Sequence, residues 1–121
     1  MNHKELDVWN QAIDLAEAIY ELTDEYPRNE IYGLVSQMRR DAVSIAANLA
    51  EGAGRRSTKE FVQFVYVARG SASELDTLLE LSKRTQVAEM RNIASIQQQN
   101  TLVSKKLTSL AKSLLSKTEK L

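Results

Sequence analysis

The 121-residue sequence predicts an all-α fold, an antiparallel up-down-up-down four-helix bundle that forms a single domain over residues 1–121. Two observations carry this prediction. The chain has one proline and four glycines, so few residues interrupt helical segments. Apolar residues make up 43% of the chain and recur every three or four positions through four long segments. A chain of this length can bury enough apolar surface to fold without a metal or a disulfide.

Pro27 separates the first two helices. Helix one is expected from about Leu6 to Tyr26, because proline disfavours helical geometry in the residue before it. Its inward stripe is expected to comprise Trp9, Ile13, Ala16, Ile19 or Tyr20, and Thr23. Helix two is expected to begin near Asn29 as N-cap and to end around Gly52 to Gly54. Its inward residues are expected to be Leu34, Met38, Ala42, Ile45 and Leu49.

Helix three has the clearest start signal. The run Ser57-Thr58-Lys59-Glu60 is typical of a capping box, in which hydroxyl and carboxylate satisfy each other's backbone N–H groups. Its inward residues are expected to be Phe61, Phe64, Val65, Ala68, Ala72, Leu75 and Leu79. Helix four is expected from about Arg91 towards Lys117, with the inward residues Ile93, Ile96, Val103, Leu107, Leu110 and Leu114. The boundary between them, Thr85-Gln86-Val87, holds no glycine or proline and is the least defined.

Several classes of function find no support in the residues. The absence of cysteine excludes a disulfide framework, a thiolate zinc site and a cysteine nucleophile. The single histidine, His3, lies near the N-terminus, and neither a Glu-x-x-His metal motif nor a phosphate-binding glycine loop is present. The sequence therefore predicts a protein that is not an enzyme and binds no metal or cofactor. No apolar run approaches the ~20 residues that span a bilayer, so a cytoplasmic protein without a membrane partner is expected.

Charge is balanced overall but unevenly distributed. Sixteen basic and sixteen acidic residues give a formal net charge of zero. Residues 1–30 carry eight carboxylates against Lys4 and Arg28, whereas residues 91–121 carry six basic groups against Glu119 alone. One interpretation is that the two segments lie side by side in the bundle. The other is that the basic segment forms a docking surface.

Helix two carries a polar stripe beside its apolar one, formed by Gln37, Arg40, Asp41, Ser44, Asn48 and Glu51. Such a stripe normally faces water. Short side chains here and in helix three, at Gly70, Ser71, Ser73 and Glu74, would instead allow the two helices to approach closely. We hypothesise that Arg40 or Arg39 pairs with Glu74 and that Asn48 bonds across the helix pair. Asn48, Glu51 and Glu74 would then form a structural polar network that fixes helix register.

The segment from Glu51 to Ser57 is the most concentrated candidate for binding. Two glycines, the adjacent Arg55 and Arg56, and a helix N-cap make a turn whose N–H and guanidinium groups could hold a phosphate. Further cations that could add to this site are Arg39, Arg40, Lys59 and Arg69. The ordinary alternative is that the glycines end a helix and the arginines are solvated surface residues.

Several motifs resemble one family. They are Leu6-Asp7-Val8-Trp9, Ile19-Tyr20-Glu21-Leu22-Thr23, Tyr26-Pro27, Glu30-Ile31-Tyr32-Gly33-Leu34, Gln37-Met38-Arg39-Arg40, Ser44-Ile45-Ala46-Ala47-Asn48-Leu49-Ala50-Glu51-Gly52, Gly54-Arg55, Glu60-Phe61, Phe64 and Ala68-Arg69-Gly70-Ser71-Ala72-Ser73-Glu74-Leu75. Together they cover about three-quarters of the chain. This pattern resembles the bacterial four-helix bundle proteins associated with 23S rRNA intervening sequences.

The resemblance implies a homo-oligomer, most simply a homopentamer. It also relates the chain to the accessory variability determinant of diversity-generating retroelements, which binds nucleic acid and a reverse transcriptase through basic surfaces. By resemblance, the nucleic-acid-binding residues would be Arg39, Arg40, Arg55, Arg56 and Arg69. Two departures stand out: Thr85-Gln86-Val87 replaces a glycine common in the family, and this chain is neutral where that branch is basic. Two functions follow as expectations, an oligomeric scaffold that binds RNA or DNA, and a scaffold that binds only a nucleic-acid enzyme such as a reverse transcriptase.

Overall fold

The structure, a computed structural model, describes residues 1–119, and four α-helices form a bundle within them. The helices are α1 Asp7–Thr23, α2 Ser36–Ala53, α3 Thr58–Arg84 and α4 Met90–Glu119. Contacts between neighbouring helices show that each pair is antiparallel. Arg39 near the start of α2 bonds to Thr23 at the end of α1. Along α3 and α4 the bonded pairs run in opposite directions, Glu80 with Gln97, Ala72 with Asn100 and Arg69 with Thr108. The predicted all-α four-helix bundle is confirmed.

The core confirms the apolar stripes expected for α2, α3 and α4. Met38, Ala42, Ile45 and Leu49 are all 0% exposed, and the inward residues of α3 and α4 are buried or packed against the core, except Phe64, which is half-buried beside Gly52 and Arg55.

The stripe expected for α1 was wrong in part, because Ile13 and Tyr20 are exposed. The core side of α1 is formed instead by Val8, Ala12, Leu15, Ile19 and Leu22. Trp9 caused the offset. Its ring sits at the rim of the bundle, edge-on to His3 at 4.8 Å, rather than at the centre of the buried face.

The connection between α1 and α2 differs from the expected continuous helix. A 3₁₀ turn, Arg28–Glu30, is followed by a π-helical segment, Ile31–Val35, so α2 begins at Ser36 and Asn29 is not its N-cap. Gly33 has φ −110° and ψ −107°, which lies outside helical geometry and breaks the helix there. Tyr32 next to it is 97% exposed.

The α2–α3 connection depends on Gly52. A Cβ atom at this position would lie 2.7 Å from Phe64 Cβ and 2.9 Å from Phe61 Cδ1, so only glycine lets the end of α2 meet the start of α3. The Ser57 hydroxyl accepts a hydrogen bond from the Glu60 backbone N–H at 3.1 Å, which confirms the predicted start of α3. The reciprocal bond from the Glu60 carboxylate is absent from the described residues, so only one side of the capping box forms.

The α3–α4 connection closes without glycine. Gln86 adopts φ 56°, in the left-handed region, and the Val87 N–H bonds back to Ser82 O at 3.3 Å. On α4, the buried Asn100 donates from Nδ2 to Ala72 O of α3 at 2.8 Å. This bond joins the two longest helices near their middles and fixes their register. Within residues 1–119, no helix is both long enough and apolar enough to cross a membrane.

Candidate nucleic-acid interface

The polar stripes of α2 and α3 meet through serines. Ser71 Oγ donates to Ser44 Oγ at 2.9 Å across the helix pair. The Asn48 amide donates to the carbonyl and hydroxyl oxygens of Ser44 at 2.8 and 2.9 Å, within its own helix. The expectation that Asn48 bonds across the helices was therefore wrong. The long side chain of Asn48 is not needed to join the two helices, because the hydroxyls of Ser44 and Ser71 already bond to each other.

Glu74 faces a carboxyl group rather than an arginine. Its neighbour across the helix pair is Asp41, which is 6% exposed. Burial first, and then the adjacent Glu74 carboxyl, raise the pKa of Asp41 to about 7, against a weaker opposing effect of Arg40. Among the described side chains, Glu74 forms no ion pair with Arg39 or Arg40, so the hypothesised pair is not formed.

Arg39 is engaged inside the protomer. Its Nε donates to Thr23 Oγ1 at 2.9 Å, its Nη2 pairs with Asp24 Oδ1 at 2.9 Å, and its guanidinium lies 4.5 Å from the centroid of Tyr20. These contacts hold α2 to the end of α1. Arg40 is exposed and lies beside Asp41.

Arg55 and Arg56 differ although they are adjacent in the α2–α3 turn. Arg55 Nη2 pairs with Glu51 Oε1 at 2.7 Å, and its guanidinium lies 4.9 Å from the centroid of Phe64. Glu51 thus belongs to the turn rather than to a network with Asn48. Arg56 is exposed and makes no ion pair with any carboxylate among the described residues. Of these two arginines, Arg56 is therefore the one available to an external anion.

Lys59 and Arg69 lie on the face of α3 that meets α4. Lys59 lines an open groove of about 490 Å³ together with Glu60, Val62, Gln63 and Leu115. Arg69, two to three turns further along α3, stacks on Tyr66 at 4.9 Å and points its Nη1 towards Thr108 Oγ1 at 3.5 Å. Of the six cations predicted from the sequence, these two share one face.

Two lysines of α4 extend this face. Thr108 and Leu115 both contact α3, and residues three or four positions apart share one side of a helix. Lys105 and Lys112 lie at those spacings from Thr108, and both are exposed. We define the α3–α4 cationic face by Lys59, Arg69, Lys105 and Lys112. None of the four lies within 4 Å of a carboxylate oxygen among the described residues.

Sequence reasoning did not single out Lys105 and Lys112. The signal available was the excess of basic residues over 91–121, but nothing in the sequence indicated which lysines face α3. The structure supplies that information through the contacts of Thr108 and Leu115.

The cationic face ends at an acidic stretch. Glu80 of α3 accepts hydrogen bonds from Gln97 Nε2 at 3.2 Å and from Arg84 Nε at 3.0 Å, and these bonds lower its pKa. Asp76 lies one turn before it and lines the neighbouring groove. Within the described residues, no cluster of three or more His, Cys, Asp or Glu side chains could hold a metal ion.

Comparisons with known proteins agree with this architecture. The chain is 26% identical to a protein of unknown function from the S23 ribosomal protein family of Bacteroides thetaiotaomicron, whose crystal structure superimposes with a TM-score of 0.78. That match covers 87% of this chain and 98% of the other. No curated protein matches the chain. The family model described as 23S rRNA-intervening sequence protein matches residues 4–109, and the chain therefore belongs to the family of 23S rRNA-intervening sequence proteins.

Proposed function

We propose that this protein is a non-enzymatic, self-associating scaffold that binds RNA or DNA along the α3–α4 cationic face. The observation that carries the proposal is the set of four cationic side chains on one face, none of which is neutralised by a carboxylate within 4 Å among the described residues. Lysines and arginines that are free of internal ion pairs can exchange their counterions for phosphates, which is the main source of affinity for nucleic acid.

The zero net charge of the chain does not oppose this function, because the fold separates the charges. The α2–α3 turn, the start of α3 and the end of α4 lie at one end of the antiparallel bundle. That end carries Arg55, Arg56, Lys59, Lys112 and Lys117. The opposite end carries the carboxylates in the last turn of α1 and just after it, Glu21, Asp24 and Glu25, and none of them lies within 4 Å of a basic group of α4 among the described residues. A polyanion would therefore meet a local positive field.

Self-association is supported by Gly70. It lies in the interior of α3, it is exposed, and a Cβ added there would meet nothing within 4 Å. Glycine in a helix interior costs about 0.5–1 kcal/mol relative to alanine, and packing within the protomer gives no return for that cost. Val67 and Leu81 on the same side of α3 are 52% and 46% exposed. These features suit the close approach of a second copy.

The homopentamer implied by the family resemblance would repeat the cationic face around a ring. Each protomer then needs only a few phosphate contacts, because several protomers engaging one strand add avidity without new chemistry. We expect log affinity to fall by about 0.7 to 0.9 per phosphate neutralised for each decade of salt.

The binding proposal is tested by fluorescence anisotropy with a labelled single-stranded RNA from about 50 to 200 mM salt. Lys59→Glu/Lys112→Glu should abolish binding and flatten the salt dependence. Arg28→Glu/Arg91→Glu is the matched control, since it changes net charge equally at exposed positions of the opposite end. Equal losses in the two double variants would show that binding follows net charge and not this face.

The self-association proposal is tested by light scattering. Gly70→Leu should lower the oligomer mass, whereas Gln98→Leu, at an exposed position of α4, should leave it unchanged. An unchanged mass for Gly70→Leu would remove this face from the oligomer.

The alternative function, a scaffold that binds a protein such as a reverse transcriptase, is favoured by one observation. Ile31 and Tyr32 are 47% and 97% exposed on the distorted segment before α2, where they serve no packing role in the protomer. Tyr32→Ser should weaken capture of such a partner while leaving the salt-dependent anisotropy signal intact. The reverse pattern would reject the alternative.

A further inference from the structure

We infer that the groove between the start of α3 and the end of α4 receives an unpaired base, so that the ligand of the cationic face is a single strand. This inference rests on the proposed function and names the class of nucleic acid that it takes.

The groove combines an apolar floor with a polar rim. Val62, 2% exposed, and Leu115, 37% exposed, provide the floor. Lys59 and Gln63, both exposed, provide the rim together with Glu60, the one carboxylate among its lining residues. With a volume of about 490 Å³, the groove falls in the range of small-molecule sites.

A duplex makes poor use of such a surface. Its outer surface presents phosphates and sugars, while the flat faces of its bases are stacked inside. A strand with unpaired bases can place one base over Leu115 and remove the exposed apolar surface of that side chain from water. Its phosphate can reach Lys59 at the same time, and the Gln63 amide can both donate to and accept from a base edge.

Arg69 offers a second place for a base on the same face. Its guanidinium already lies over Tyr66 on one side, and the plane of an arginine is a stacking surface for bases. Seven residues separate Val62 from Arg69, which corresponds to about 10 Å along α3. The two positions therefore follow one another along the line of cations, as successive nucleotides of one strand would.

The test compares three labelled 12-nucleotide ligands at the same salt concentration: oligothymidylate, an abasic strand of equal length, and a duplex. Wild-type protein should bind the oligothymidylate about five- to tenfold more tightly than the abasic strand, since burying one base face against an apolar side chain contributes on the order of 1 kcal/mol. Leu115→Asn should reduce this preference, leaving the part that stacking on Arg69 supplies, without changing the affinity for the abasic strand. Leu102→Asn, at a 60% exposed position of α4 outside this groove, should retain it.

The outcomes separate this inference from the proposed function. Equal affinity for the oligothymidylate and the abasic strand, or tightest binding of the duplex, would overturn the unpaired-base inference and leave nucleic-acid binding in place. Failure of the wild-type protein to bind any of the three ligands would overturn both. The comparison of ligands on the wild-type protein requires no variant, so its result does not depend on the folding of Leu115→Asn.

Discussion

The buried carboxyl of Asp41 makes the stability of the bundle depend on pH in a direction opposite to that of most ion-paired carboxylates. Its pKa is raised to about 7 from a model-peptide value of 3.8, first by burial and then by Glu74. Below pH 4 the group is protonated in both the folded and the unfolded protein. As pH rises from about 4 to about 7, the unfolded chain releases this proton while the folded protein keeps it, so the free energy of unfolding falls. Above about pH 7, Asp41 is ionised in both states and its destabilising effect on the folded protein reaches its full size.

Asp41→Asn removes this titration while preserving the size of the side chain. A difference of about three pH units at 1.36 kcal/mol each sets a ceiling of about 4 kcal/mol on the penalty in the wild-type protein. Glu74 is exposed and its charge is screened by water, so we expect about 1–3 kcal/mol. The difference in free energy of unfolding, variant minus wild type, should therefore be larger at pH 8 than at pH 4 by this amount.

The assay is urea unfolding followed by circular dichroism from pH 4 to pH 8, at one protein concentration. The difference between variant and wild type isolates Asp41, because the other titrating groups are common to both proteins. Glu74→Gln should give a smaller gain of the same sign, since burial of Asp41 remains as the main cause of its raised pKa. Asp14→Asn, at an exposed position on α1, controls for charge removal alone. A constant difference between Asp41→Asn and wild type across this range would refute the reasoning.

Three further predictions concern stability and can be checked by the same unfolding experiment. Gly52→Ala should destabilise the protein by about 1–3 kcal/mol, because its Cβ would overlap Phe64. Gly70→Ala has free space around it and should stabilise an isolated protomer by up to about 1 kcal/mol. Losses of equal size at both glycines would contradict the packing argument. Asn100→Ala should cost about 1–3 kcal/mol by removing the bond to α3, and no change would mean that the bond does not fix register. Arg39→Ala should cost about 1–2 kcal/mol and leave the anisotropy titration unchanged; a loss of RNA binding would return Arg39 to the interface.

Much of the fold followed from apolar spacing because three of the four helices bury a single continuous stripe. In α1 the spacing was ambiguous, since two stripes one position apart both contain apolar residues and Trp9 favoured the wrong one. The distortion at Gly33 and the positive φ of Gln86 were not predictable from residue type. The first residue carries no obligatory conformation, and the second adopts a geometry that glutamine seldom takes unless the surrounding helices impose it.

The candidate site was predicted only in part for a related reason. Residue type indicates which side chains are cationic, but not which of them already have a partner. Arg39 and Arg55 pair with Asp24 and Glu51, whereas Arg56 and Lys59 do not pair within the described residues. Whether a cation is paired depends on which carboxylate lies within reach of it. That follows from the helix register rather than from the composition of the segment.

Antiparallel topology is what converts a neutral chain into a charged surface. The basic turn after α2 and the basic end of α4 are separated by about sixty residues in sequence, yet the single reversal between α3 and α4 brings them to one end of the bundle. Among the described side chains, the carboxylates at this end are Glu5, Asp7, Glu51 and Glu60, and Glu51 is already paired with Arg55. If protomers assemble with their helices parallel to a common axis, every cationic end lies on the same rim. The repulsion among those ends then opposes assembly. A bound polyanion that neutralises them should therefore stabilise the oligomer. By linkage, the oligomer should bind the polyanion more tightly than a protomer does.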